Sequence, residues 1–310
     1  MQPFPRPNKL RHCQSPPFQL IMSRCFCELA DCFLLMSDRT TNPLPDYERP
    51  PVIEVVYGVQ FSPLPELRTP LIGLFWQAIK ADYPKFKEMP VLAPVIERFD
   101  QEAKTEQPTL ELLQEAPLPR LFFLDAQENW VMQVQSDRFL HNWKRVTDDD
   151  IYPRFNVVSQ KFFQAWERFS EFCRSENISK PKLNQLELTY INHIPVHENH
   201  TIAEEITGIF PDIVWRKGHD FLPIPESLSW KTSFLLPNRL GRLHVSLRQA
   251  RRIKDNAPTL LFELTARGIP GISELDHVKE WFALSREWIV RGFSDLTNSD
   301  VQKTVWNRKA

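Results

Sequence analysis

The sequence predicts an α+β fold built from two successive β-α-βββ-α halves, their strands joined in one antiparallel sheet with the long helices on one face. Three observations predict it. Apolar, β-branched runs with period-2 alternation recur in blocks of three separated by hairpin-length gaps. Each block is followed by one long stretch with apolar residues every three or four positions. The order of elements in residues 48–180 then repeats in 181–310, so both halves are expected within one domain.

Val52–Phe61, VIEVVYGVQF, reads as the first strand, closed by Pro63 and Pro65. Thr69-Pro70 makes a helix start, and Leu71, Leu74, Phe75 and Ile79 carry helical spacing as far as Tyr83. Residues 84–118 are proline-rich without a period and read as irregular, with short helical pieces. Leu121–Asp125, Trp130–Gln135 and Phe139–Arg145 form the first block of strands. The helix predicted for about 153–177 carries Phe155, Val158, Phe162, Phe163, Trp166, Phe169 and Phe172. Asp148-Asp149-Asp150 precedes it and is expected to complement its dipole.

In the second half, Leu183–Ile194 is the lone strand and 203–207 a short helical stretch. Ser227–Leu236, Arg242–Arg251 and Thr259–Arg267 form the block. A helix over about 273–296 and a short one over 299–305 end the chain. An eight-stranded sheet of this kind is similar at fold level to the duplicated saddle of the TATA-binding-protein class and, more loosely, to helix-grip folds. Fold alone assigns no function.

Composition excludes common activities. The chain has 8 glycines among 310 residues, against an average near 7%. They are scattered, and no G-x-G-x-x-G, P-loop or G-x-S-x-G is present. A binding role is therefore expected ahead of a catalytic one, and no cofactor is assigned. Formal net charge is −1, so nothing pulls the whole chain toward nucleic acid. Four cysteines, Cys13, Cys25, Cys27 and Cys32, precede residue 33, and only Cys173 follows. The Cys25-x-Cys27-x4-Cys32 run lacks the second pair of a zinc site, and a single thiol in the body suits a reducing cytoplasm. Cys173, among Phe169 and Phe172, is expected to be buried and inert.

Residues 1–45 read as an extension outside the domain, either disordered or upstream of a native start at Met36. Arg24, Glu28 and Asp31 break the run Phe18–Met36, so no membrane span is expected there.

Alternation defines a greasy face and a polar face. Gln133, Gln135, Glu187, Thr189, His193, Lys231, His244, Arg248, Glu263 and Arg267 fall on the polar side and are the candidate binding residues. They define a platform for a macromolecule, with a protein partner as the leading reading. Nucleic acid is the alternative, favoured by Lys231, Arg242, Arg248, Arg251, Arg252 and Lys254, with Tyr57, His141 and Trp143 as stacking candidates. An enzyme or small-molecule binder with a pocket between sheet and helices is the third reading. Glu187 and Glu263 are expected to pair with cations rather than act as catalytic carboxylates. His193-x3-His197-x2-His200 has metal-capable residues but lacks the H-E-x-x-H geometry, so no metal site is assigned.

PPVIEVVYGVQF (50–61), QVQSDRFLHNWKR (133–145), YPRF (152–155), ELTYINHIP (187–195) and FSDLTNSDVQKTVWNR (293–308) resemble the landmarks of a sporadically distributed bacterial family of uncharacterised proteins. The resemblance covers residue 48 to the end and implies no activity or catalytic residue. Its sporadic occurrence implies an accessory locus such as host defence or toxin–antitoxin. Thr304-Val305 stands where the family has a His before the terminal Trp, and Asn307 where it has Gly.

Overall fold

Alternating apolar side chains on nine strands build one antiparallel sheet in the computed structural model of the chain, which describes residues 43–99, 118–197, 200–214, 221–223, 225–252, 254–269 and 275–309. The strands are β1 (Val52–Phe61), β2 (Lys85–Met89), β3 (Arg120–Leu124), β4 (Trp130–Gln135), β5 (Arg138–Lys144), β6 (Leu183–Pro195), β7 (Ser229–Leu235), β8 (Arg242–Arg251) and β9 (Pro258–Gly268). The helices are α1 (Thr69–Ile79), α2 (Arg154–Ser175), α3 (Ile202–Ile209), α4 (Leu275–Leu296) and α5 (Ser299–Thr304). Strand order is β2-β3-β4-β5-β1-β6-β9-β8-β7. β1 and β6 pair at the centre, and outward from them the order β5-β4-β3 on one side matches β9-β8-β7 on the other.

β2 is a strand the sequence pattern did not predict. Its burial is uniformly low, so Lys85, Lys87 and Glu88 carry no alternation to read. The start of α1 also differs by one residue: Arg68 is the extended N-cap and Thr69 the first helical residue. The aspartates before α2 do not cap it. Asp150 accepts hydrogen bonds from the Val146 and Thr147 amides at 2.8 and 2.7 Å, closing a turn, and Asp148 pairs with Lys254 at 2.8 Å.

α2 lies against β1 and β5, and α4 against β6, β8 and β9. The aromatic side chains on this face interlock. Tyr57 on β1 stacks with Phe162 of α2 at 5.1 Å and meets Phe282 of α4 at 4.8 Å, tying the two helices to the central strand. Aromatic pairs at such separations add about 0.5–1.5 kcal/mol each beyond the area they bury. Cys173 is buried here, and that burial raises its thiol to about 11, so it stays a thiol. Gly241 and Gly268 let β8 and β9 begin and end in backbone contact, since a Cβ at Gly268 would strike the Leu240 carbonyl oxygen.

The tail closes on the lead segment. Tyr47 bridges Arg308, and Trp306 packs against Phe293 at 4.9 Å. Asn307 has φ 51°, the left-handed conformation that glycine takes most easily and Asn tolerates.

His141 and Trp143 of β5 and Tyr57 of β1 all sit on this helix-covered face, so none is available to stack on a nucleic-acid base. His141 is fully buried, 2.8 Å from the Tyr83 hydroxyl and stacked on Trp130. Burial, with Lys161 nearby, drives its imidazole down from 6.5 to about 3. The folded chain therefore keeps it neutral while the unfolded chain protonates it below 6.5, and acid favours unfolding across that window. At 1.36 kcal/mol per unit of pKa shift, this group alone costs about 2 kcal/mol between pH 7 and pH 5. Urea unfolding at the two pH values should show wild type losing about 2 kcal/mol more than His141→Gln; equal losses would mean the imidazole is already protonated in the fold.

Candidate functional site

The face opposite the helices is polar by the same alternation, yet much of it is not open to water. Gln60, Gln133, Gln135, Arg138, Asn142, Gln185, Thr189 and Thr265 are all buried there. Burying amides and a guanidinium requires hydrogen-bond partners. Three sets of interactions supply them.

The first runs across β3, β4, β5 and β1. Arg120 donates to Gln133, Gln133 donates to Asn142 at 2.9 Å, and Asn142 donates to the Glu54 carboxylate at 2.5 Å. Burial raises the Glu54 carboxyl above its ordinary value. The second lies on β6 and β9. Arg267 Nε donates to Glu187 at 2.7 Å, and the Thr189 and Thr265 hydroxyls share a hydrogen bond at 2.9 Å. Glu263 accepts from Thr265 at 3.2 Å. Glu187 is thus paired with a cation as expected, whereas Glu263 is held by a threonine hydroxyl.

The third is a strap. After β2 the chain turns onto the polar face, and residues 91–99 run across the strands. Gln135, Arg138, Gln60 and Gln185 form one register row across β4, β5, β1 and β6 beneath it. Gln135 donates to the Leu92 carbonyl and accepts from the Leu92 amide, both at 2.9 Å. Gln60 does the same for Val95 at 3.1 and 3.3 Å. Gln185 accepts from the Glu97 amide at 2.6 Å and donates to the Val95 carbonyl, and Arg138 donates to the Ala93 carbonyl at 3.0 Å. The side chains of Val91, Val95 and Ile96 are exposed. The row therefore holds main chain without reading side chains.

Glu97 anchors the far end. Its carboxylate, only 7% exposed, accepts from His244 Nε2 at 2.8 Å and forms an ion pair with Arg242. Arg242 also lies 4.8 Å over the Phe99 ring. Burial alone would raise the Glu97 carboxyl, but the hydrogen bonds from His244 and Arg242 hold it below its ordinary range.

Of the ten residues expected on this face, Gln135 and His244 bind the strap, while Gln133, Glu187, Thr189, Glu263 and Arg267 belong to the two networks. Lys231 and Arg248 project from β7 and β8 as exposed cations with no ion pair among the described residues. His193 shares the face but stands apart, half-buried near Arg252 and Arg145. Pattern reading missed Gln60, Arg138 and Glu97, and placed Arg242 on this face only as a nucleic-acid contact. The signal present was three glutamines, Gln60, Gln135 and Gln185, near the ends of strands on one face.

His197 and His200 come together without His193. Both aim Nδ1 at the buried Glu205 carboxylate, at 3.0 and 2.8 Å. The helix side carries a separate cleft, where Tyr152 and Tyr190 share a hydrogen bond at 3.0 Å beside Arg286 and Asn192. Burial raises both phenols, so neither is a base near neutral pH. Among the described residues, no helix is long and apolar enough to cross a membrane. No protein-family model matches the chain, and no curated protein matches it.

The Glu97 anchor yields a sign. A carboxyl held below its ordinary range stabilises the fold at neutral pH, and that contribution disappears as pH falls through its lowered value. Glu97→Gln should raise hydrogen-exchange rates of the Leu92, Val95 and Glu97 amides at least tenfold at pH 7 while leaving β1 and β6 protected. Unchanged exchange would show that the glutamine row holds the strap unaided.

Proposed function

We propose that this chain is a binding protein whose polar sheet face takes an extended polypeptide, recognised chiefly through its main chain. The observation that carries the reading is the pair of two-point clamps. Gln135 holds both main-chain groups of Leu92, and Gln60 both of Val95. Main-chain hydrogen bonding is the general means by which extended peptides dock on sheets. The 91–99 segment is then an internal occupant of a site that a partner's extended segment also fits. Arg242 and His244 favour an acidic side chain at the Glu97 position, and Lys231 and Arg248 extend that preference toward β7. The matching strand order on either side of the β1–β6 pair supports reading the two halves as a duplicated unit. The spanning row of glutamines is then a product of joining them.

The same face argues against nucleic acid. Arg242, Arg252, Lys254 and Arg267 are already paired with Glu97, Asp255, Asp148 and Glu187. Of the six cations that favour nucleic acid, only Lys231, Arg248 and Arg251 are left without an ion pair among the described residues to release counterions from phosphates.

The test uses a labelled peptide of residues 91–99, VLAPVIERF. The receptor is the chain with 91–97 replaced by seven prolines, which offer the glutamine row no amide N–H, its fold checked by circular dichroism. Fluorescence anisotropy should show micromolar binding to that variant and little to wild type, whose own segment occupies the site. N-methylation of the peptide at its Leu92 or Val95 position should weaken binding at least tenfold. A folded variant that ignores the peptide, or binds the methylated forms equally well, would defeat the reading.

A further inference from the structure

The loop between β6 and α3 holds a second group of chemistry-bearing side chains, independent of the polar face. Thr201 and Glu204 form a capping box that fixes the start of α3, with the Glu204 amide donating to Thr201 and the Thr201 amide to the Glu204 carboxylate at 3.0 Å. The next residue, Glu205, points under the loop and is only 4% exposed. His197 and His200 stand above it with their rings 5.2 Å apart, the His200 amide donating to the His197 carbonyl at 3.1 Å. Each ring turns Nδ1 toward the carboxylate. One ligand atom from each of the three residues lies within 4.8 Å of the others. Both imidazoles remain substantially exposed, His197 at 70% and His200 at 52%.

We infer that His197, His200 and Glu205 form a three-ligand site for a zinc-class divalent cation, its fourth position open to solvent. Two imidazole nitrogens and one carboxylate oxygen make a donor set that suits Zn²⁺ and its transition-metal neighbours rather than Mg²⁺ or Ca²⁺, which take oxygen shells. Around a tetrahedral zinc with bonds of about 2.0–2.1 Å, donors stand about 3.3 Å apart. The Nδ1-to-carboxylate separations of 3.0 and 2.8 Å need open by only a few tenths of an ångström. Without metal, the two Nδ1–H groups donate to the carboxylate. With metal, each ring carries its proton on Nε2 and offers the Nδ1 lone pair, so neutral rings lose no net proton. The ion would cover the charge of a buried carboxylate and staple the loop to α3. His193 takes no part, so the histidine spacing alone misstates the ligand set.

The experiment titrates Zn²⁺ into the chelator-stripped full chain against a chromophoric competitor, with Co²⁺ as a spectroscopic probe. The expected result is a histidine–carboxylate zinc site, removed or weakened at least tenfold by His197→Ala and by His200→Ala, with visible d–d bands of four-coordinate Co²⁺. Cysteine ligation at the N-terminal thiols would instead give a near-ultraviolet thiolate band that survives both substitutions. Glu205→Gln should weaken zinc by at least as much; since it alters a buried residue, the exposed histidine variants carry the decision if it unfolds. No zinc binding, binding indifferent to the histidines, or a thiolate spectrum alone would overturn the site.

Discussion

A row of amides and a guanidinium cannot be buried on a sheet face without partners, and most of this architecture follows from how Gln135, Arg138, Gln60 and Gln185 find them. An unsatisfied buried polar group costs about 1–3 kcal/mol. Four such residues left bare beneath a covering segment would be a large fraction of a domain's stability. The solution is to cover them with main chain. A peptide group presents a donor and an acceptor, and a carboxamide presents the complementary pair. The register that aligns the four residues across β4, β5, β1 and β6 therefore requires an extended segment to cross the strands.

The opposite face explains why the row can be polar at all. Tyr57, Phe162 and Phe282 give the central strand an aromatic anchor to both long helices, so the sheet needs no second apolar layer. With the core completed on one side, side chains of the other parity are free of packing demands. β6 shows the division most clearly: Leu186, Leu188 and Tyr190 are core, while Gln185, Glu187 and Thr189 serve the networks.

This division was legible in the sequence because it rests on period-2 alternation, as were α2 and α4, which rest on helical spacing. The membership of the polar face was legible for the same reason, down to Gln133, Gln135 and His244. What the pattern could not carry is the covering of that face. Pro90 and Pro94 interrupt any period in residues 84–118, and the segment's hydrogen bonds go to side chains far along the chain. Such partners leave no local signature. The first strand's Gln60 and the second half's Arg242 were readable as polar, but only their common contact with 91–99 makes them one site. The histidine cluster failed to read for a related reason, since Glu205 lies on a helix and its side chain returns under the loop.

The energetics of the strap bear on what it does. Seven hydrogen bonds join the sheet row to main-chain groups of Leu92, Ala93, Val95 and Glu97. At a net worth of about 1 kcal/mol each they contribute about 7 kcal/mol. The charge-assisted bonds at Glu97 add about 3–6 kcal/mol. Ordering the nine residues 91–99 costs about 9–18 kcal/mol of backbone entropy. The two sides nearly cancel even with the Glu97 anchor counted, so the segment is only marginally held. A device meant only to seal the sheet would turn its apolar side chains inward, whereas Val91, Val95 and Ile96 face solvent. A near-balanced, main-chain-bound occupant with outward side chains is what the proposed peptide site requires, since a free segment with a suitably placed carboxylate offers the same groups and competes only against the effective concentration of the tethered one.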